Sequence, residues 1–174
     1  ILVSVQFIAM QSFGISTTMA LYGVGATAAS AVLTAYLLGA TAGIFAGGFV
    51  ATWTRRHDLV AIVGVAVNAL LFYAIAAAWI GAGVLAAVCA LAGFASGLTN
   101  PSRDLIVRAS TPPGAAGKVY GFVYSGLDVG SMVTPVYFGW LLDGGRPSVV
   151  FYTVVAASVL TIATVMNLRE RTAG

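Results

Sequence analysis

The chain has 174 residues, of which 60% are hydrophobic and only 7% charged, with a net charge of +3. Soluble domains carry about 25% charged residues, so this composition excludes an ordinary water-soluble core and makes lipid the natural solvent. Without a basic patch on a soluble face there is no basis for nucleic-acid binding, and a single cysteine, Cys89, excludes an internal disulfide and a multi-cysteine metal site.

A helix needs about 20 apolar residues to cross the hydrocarbon core. In chain order the runs of that length fall at 1–21, 28–53, 59–80, 84–102, 119–142 and 149–168. They are separated by the turn signals "YGVGAT", "TRRHD", "GAG", "RASTPPGAAGK" and "DGGRP". Strands of a membrane barrel would be about ten residues of alternating polarity. These longer, uniformly apolar runs predict an all-α polytopic membrane protein with six transmembrane helices.

The first run is polar for a lipid-spanning segment, with Ser4, Gln6, Gln11, Ser12, Ser16, Thr17 and Thr18. Ser4, Gln11 and Thr18 recur at sevenfold spacing. Gln11 lies near mid-depth, where it could bond a solute or glue helices together. The second run carries "GATAGIFAGG", in which Gly39, Gly43 and Gly47 form overlapping GxxxG units that predict close helix contact. Asn68 in the third run reads as a hydrogen bond to a neighbouring helix. Cys89 in the fourth reads as inert packing. Ser96, Asn100 and Arg103 fall on one stripe, and Asn100-Pro101 is expected to distort the helix end. Arg103, Asp104 and Arg108 continue as an amphipathic extension, with Asp104 and Arg108 spaced for an i,i+4 ion pair. The fifth run contains Asp128 about ten residues in, near the bilayer centre, where a carboxylate is costly unless paired, hydrated or protonated. Tyr120, Tyr124, Asp128, Ser131 and Pro135 make a polar stripe expected to face a bundle interior or wet cavity. Asp128 reads either as a substrate contact or protonation site, or as a structural carboxyl bonded to a neighbouring helix.

With six spans, loops alternate between two sides. Arg55, Arg56, Arg103, Arg108, Lys118, Arg169 and Arg171 fall on one side and only Arg146 on the other. Basic residues in short loops mark the cytoplasmic face, so both ends are expected in the cytoplasm and the chain in a cell inner membrane. His57, beside Arg55 and Arg56, reads as solvated at the headgroups.

Residues 48–55, "GFVATWTR", and 139–146, "GWLLDGGR", share Gly, an aromatic and a terminal Arg. They follow the second and fifth runs, as a 3+3 inverted repeat of 1–80 and 84–168 requires. On these features, and on "GGFVATWTRRHD" after the second span, the whole chain resembles the C-terminal half of a major facilitator superfamily transporter. Gly48, Ala51, Arg55 and Arg56 match the family's loop motif. Thr52 stands where the family has an acid and Trp53 where it has its first Arg, which puts the loop's charge-relay role in doubt here. "NPSRDLIVRASTPPGAAGKVYGFVYSGLDVGS" and "FGWLLDGGRP" are similar to the prokaryotic fosmidomycin-resistance-like efflux branch.

The resemblance implies secondary active transport of a small solute by alternating access, with an N-terminal half that is absent here. Protons are the implied coupling ion and no cofactor is implied. Asp128, Gln11, Asn100 and Tyr124 are the substrate or coupling candidates. Gly48, Arg55, Arg56, Arg103, Asp104 and Arg108 are the candidates for the cytoplasmic gate. No metal-binding, nucleotide-binding or nucleophile motif is present, so an enzyme is not expected. The alternative is a six-span scaffold or subunit without transport of its own.

Overall fold

The computed structural model describes residues 2–54, 56–109 and 111–173, with side chains at all of these except 3 and 167–173. Seven helices account for nearly all of them, and no strand occurs among the described residues. They are α1 (Leu2–Gln11), α2 (Gly14–Tyr22), α3 (Ala26–Trp53), α4 (His57–Ala76), α5 (Ala82–Ala109), α6 (Ala116–Asp143) and α7 (Pro147–Ala173). The turns fall where the breaker clusters lie. Gly23 closes α2 with φ +63°, a left-handed position that suits glycine, and its N–H bonds Met19 O at 2.9 Å.

The first predicted span differs from expectation, because it is broken in two. The Ile8 carbonyl accepts from both Ser12 N (3.0 Å) and Phe13 N (3.3 Å), so the hydrogen-bond ladder slips by one residue before α2 begins. The slip rotates α2 relative to α1 and undoes the sevenfold face: Ser4 and Thr18 are buried while Gln11 is exposed. Proline behaves differently too. α5 runs on through Pro101 to Ala109 instead of ending near it.

Among the described residues, four helices are long and apolar enough to cross a membrane: α3, α4, α5 and α7 as far as Met166. α1 and α2 are too short singly, at 10 and 9 residues. α6 has the length, with 28 residues, but Lys118, Asp128, Asp143 and its Tyr, Ser and Gly content dilute its hydropathy.

In lipid no hydrophobic force pulls apolar helices together, so close packing must hold them. The α3–α5 pair meets this by reciprocal glycine contacts. A Cβ built on Gly39, Gly43 or Gly47 would strike the backbone of Ala90, Phe94 or Leu98, and one built on Gly93 or Gly97 would strike the backbone of Tyr36 or Ala40. The GxxxG expectation for α3 is thus met, with a matching pair in α5. The rising register shows that the two helices run parallel. Ser4 donates to Leu127 O (3.0 Å) and Phe13 packs edge-on to Phe138 (5.8 Å), so the first helix and α6 are parallel in the same way. α4 is antiparallel to α5: Gly64 faces Thr99, and Asn68 donates to Ala92 O at 2.8 Å, the predicted neighbour bond.

The tight core sits toward one end. Met10, Tyr36, Phe72, Leu85, Phe138 and Phe151 belong to one buried cluster, with Phe72 and Phe151 centroids 5.7 Å apart. Cys89 is buried among them, as read. This is the end where α2, α4 and α6 finish and α5 and α7 start.

Candidate functional site

The other end of the bundle is hollow. Between α1, α5, α6 and α7 lies a chamber of about 590 Å³, walled mainly by apolar groups such as Val107, Phe122, Val123, Leu127 and Val165. Between α1, α4, α5 and α7 lies a narrow cleft of about 120 Å³. The two share Leu2, Arg103, Val107, Thr161 and Val165 as wall residues. They are therefore two parts of one crevice that meets at Arg103.

The cleft carries most of the polar recognition groups. Gln6 Nε2 donates to Ser96 Oγ at 3.0 Å, and the Tyr36 hydroxyl interacts with both. Three helices, α1, α3 and α5, thus contribute to one polar cluster. Ser96, Thr99, Asn100 and Arg103 come from successive turns of α5, because spacings of three and four keep residues on one helix face. The predicted stripe of Ser96, Asn100 and Arg103 lines this cleft. Thr99, Ser158 and Thr161 bond carbonyls of their own helices, at 2.8 Å each, so their hydroxyl protons are engaged, while the Asn100 amide makes no hydrogen bond among the described residues and Arg103 pairs with Asp104.

Arg103 stands about 31 Å along α5 from Ala82, near one edge of a hydrocarbon layer about 30 Å thick. Its Nη2 lies 3.7 Å from Asp104 Oδ1. The expected i,i+4 partner Arg108 is exposed at the helix end, and Asp104 turns to its chain neighbour instead. The Asp104 side chain is 65% exposed, so this pairing is solvent-screened and weak. On the chamber side Tyr120 and Tyr124 stack, with centroids 6.2 Å apart. Both line the chamber with Arg103 and Asp104.

The remaining sequence candidates lie apart from this crevice. Asp128 is exposed on α6, about 18 Å along it, and makes no hydrogen bond or ion pair with another described residue. Ser131 is exposed with it, so this part of the polar stripe faces outward from the chain and not into its interior. The buried side of α6 is instead Gly130, Thr134, Phe138 and Leu141. Gln11 is exposed at the break between α1 and α2. Gly48 is exposed on α3, with open space around a Cβ built there. Arg55 lies outside the described residues. Arg56 is exposed and its N–H donates to Thr54 Oγ1 at 3.2 Å. His57 differs from its expected solvation: it is half-buried, and its Nδ1 is buried with no hydrogen-bond partner among the described residues.

Gln6 of the cleft and Tyr36, which interacts with it from the buried core, are not singled out by the sequence. Gln6 was one polar residue among seven, and Tyr36 was unmarked. The available signal for Tyr36 was a large hydroxyl-bearing ring set among the small residues of α3.

The arrangement has a cation paired with a carboxylate, amide groups, hydroxyls and apolar walls, which are groups that can bind a solute. The family model described as Major Facilitator Superfamily matches residues 1–173. No curated protein and no solved structure matches the chain.

Proposed function

The chain belongs to the major facilitator superfamily, and from that premise we propose that it is the C-terminal six-helix half of a secondary active transporter for a small solute. In this reading α1 and α2 together form the first crossing and α6 supplies the fifth. Residues 1–80 and 84–168 form two inverted three-helix repeats. The parallel pairing of α3 with α5 and of the first helix with α6 supports this, since an exchange of repeats converts one pair into the other. The basic end of the bundle faces the cytoplasm of an inner membrane. Transport is by alternating access against an N-terminal half, with protons as coupling ion and efflux as direction.

The observation that carries the proposal is Asp128. With α6 as the proposed fifth crossing, a carboxylate near its middle and exposed on this chain's surface is costly against lipid. A second protein half, with a wet cavity between the halves, removes that cost. Gln11, exposed at the helix break, belongs to the same proposed inter-half surface. Broken helices at mid-membrane are where transporters of this kind bind solutes.

The test is solute flux in inverted vesicles from cells expressing the full-length transporter, with and without an uncoupler. Asp128→Asn is expected to abolish gradient-driven accumulation while leaving passive exchange measurable. Unchanged accumulation at every pH would remove Asp128 from coupling.

A further inference from the structure

We propose that the crevice at Arg103 binds amphipathic anions, with an acidic head in the narrow cleft and an apolar body in the wide chamber. This names a substrate class and rests on the transport reading above.

Volume, charge and wall chemistry agree. The chamber of about 590 Å³ is in the range of ligand pockets, which run from about 300 to 1,000 Å³. Its walls of Val107, Phe122, Val123, Leu127 and Val165 offer an apolar body dispersion contacts and no competing hydrogen bonds. The stacked Tyr120 and Tyr124 add a flat aromatic side. The cleft, at about 120 Å³, is about a fifth of the chamber's volume and suits a small polar head.

The charged groups of the crevice come from α5: Arg103 lines both the cleft and the chamber, and Asp104 lines the chamber alone. Arg103 lines both parts, and its only ion pair among the described residues is the solvent-exposed 3.7 Å contact with Asp104. Among the described residues no carboxylate lines the narrow cleft. Asn100 lies one turn before Arg103 on the same face of α5, and Gln6, bonded to Ser96 a further turn away, lines the same cleft. A guanidinium fork beside amide donors suits a planar carboxylate. A cationic head would meet Arg103 with no acid in the cleft to offset it.

The commitment is to a diffusible anion and not to a resident anionic phospholipid. The small cleft beside one larger chamber suits a carboxylate head carried on a single apolar body.

The experiment is equilibrium binding of radiolabelled decanoate to the full-length transporter in nanodiscs of zwitterionic phosphatidylcholine. Decyltrimethylammonium and decanol serve as unlabelled competitors. Saturable decanoate binding is expected, displaced by cold decanoate and at least tenfold less well by the cation or the alcohol. Arg103→Gln is expected to weaken decanoate about tenfold or more, the usual scale for one charged hydrogen bond. Arg103→Lys is expected to keep most of the affinity, and Lys118→Gln, exposed on α6, all of it. Asn100→Leu, which leaves the charge in place, is expected to weaken binding by a smaller factor and gives a readout should Arg103→Gln not fold. Equal displacement by decyltrimethylammonium, or unchanged decanoate affinity in both Arg103→Gln and Asn100→Leu, would overturn the proposal. So would loss of decanoate binding in nanodiscs doped with phosphatidylglycerol, which identifies a lipid site. Decanoate binding that persists in a protein showing no flux of any solute sinks the transport reading and leaves the anion crevice standing.

Discussion

Gln6 Nε2 donates a 3.0 Å hydrogen bond to Ser96 Oγ, and this contact joins α1 to α5 across 90 residues of chain. Ser96 sits one turn before Asn100 and two before Arg103, so the bond fixes the rotation of the α5 face that lines the cleft. Hydrogen bonds between membrane helices are worth about 0.6 kcal/mol on average and up to about 1.7. A double-mutant cycle with Gln6→Leu and Ser96→Ala, read by thermal denaturation in detergent, is expected to give a coupling of about 1 kcal/mol. Additive effects of the two changes would show that the bond carries no stability.

The glycine interlock gives a larger effect. Gly43 on α3 and Gly93 on α5 each lie where a Cβ would overlap backbone atoms of the facing helix. Backbone cannot swing aside as a side chain can, so the helices must separate along their length. Overpacking of this kind costs about 1–3 kcal/mol. Gly43→Ala and Gly93→Ala are each expected to lower the temperature at which half the protein aggregates. Gly121→Ala, with open space around its Cβ, is expected to leave it unchanged. Three equal curves would mean that α3 and α5 do not pack this closely.

Sidedness follows from the placement of charge. Cys89 is 2% exposed, so a membrane-impermeant maleimide is expected not to label the native protein. In that silent background Arg146→Cys is expected to react in intact cells, and Arg108→Cys only after permeabilisation. Both sites are exposed in the chain, so any difference reports the membrane and not burial. Labelling of Arg108→Cys from outside would invert the assignment of cytoplasmic and outer ends.

Much of the architecture was legible because breakers mark it. Gly23, the "TRRHD" cluster, Pro112-Pro113 and Gly144-Gly145 coincide with the turns that end α2, α3, α5 and α6. The break inside the first span was not legible, since Ser12 and Phe13 are tolerated in helices and the slip at the Ile8 carbonyl has no residue signature. Helix rotation was the other gap. In α5 the polar residues are few and grouped, so Ser96, Asn100 and Arg103 could be placed on one face. In α6 both faces carry apolar residues, with Phe138 buried and Val136 exposed, so periodicity could not tell which way Asp128 points. That direction is set by Ser4 and Phe13 packing against the opposite side of the helix.

Asn68 separates two roles for a buried polar group. It is 1% exposed; its Nδ2 donates to Ala92 O at 2.8 Å, while its Oδ1 is buried without a partner. The Ala92 carbonyl lies within α5, where the helix ladder supplies it with another donor, so loss of Asn68 does not orphan it. The unmatched Oδ1 offsets part of what the 2.8 Å bond contributes. Asn68→Leu keeps the volume and removes the orphaned oxygen. It is expected to change stability by less than about 1 kcal/mol in either direction. Asn68→Ala opens a cavity between α4 and α5 and is expected to cost about 2 kcal/mol. Thermal denaturation of the two variants beside the native protein decides it. If Asn68→Leu proves as damaging as Asn68→Ala, the bond to Ala92 outweighs the unmatched oxygen, and Asn68 is a structural clasp between the helices instead of a tolerated polar residue.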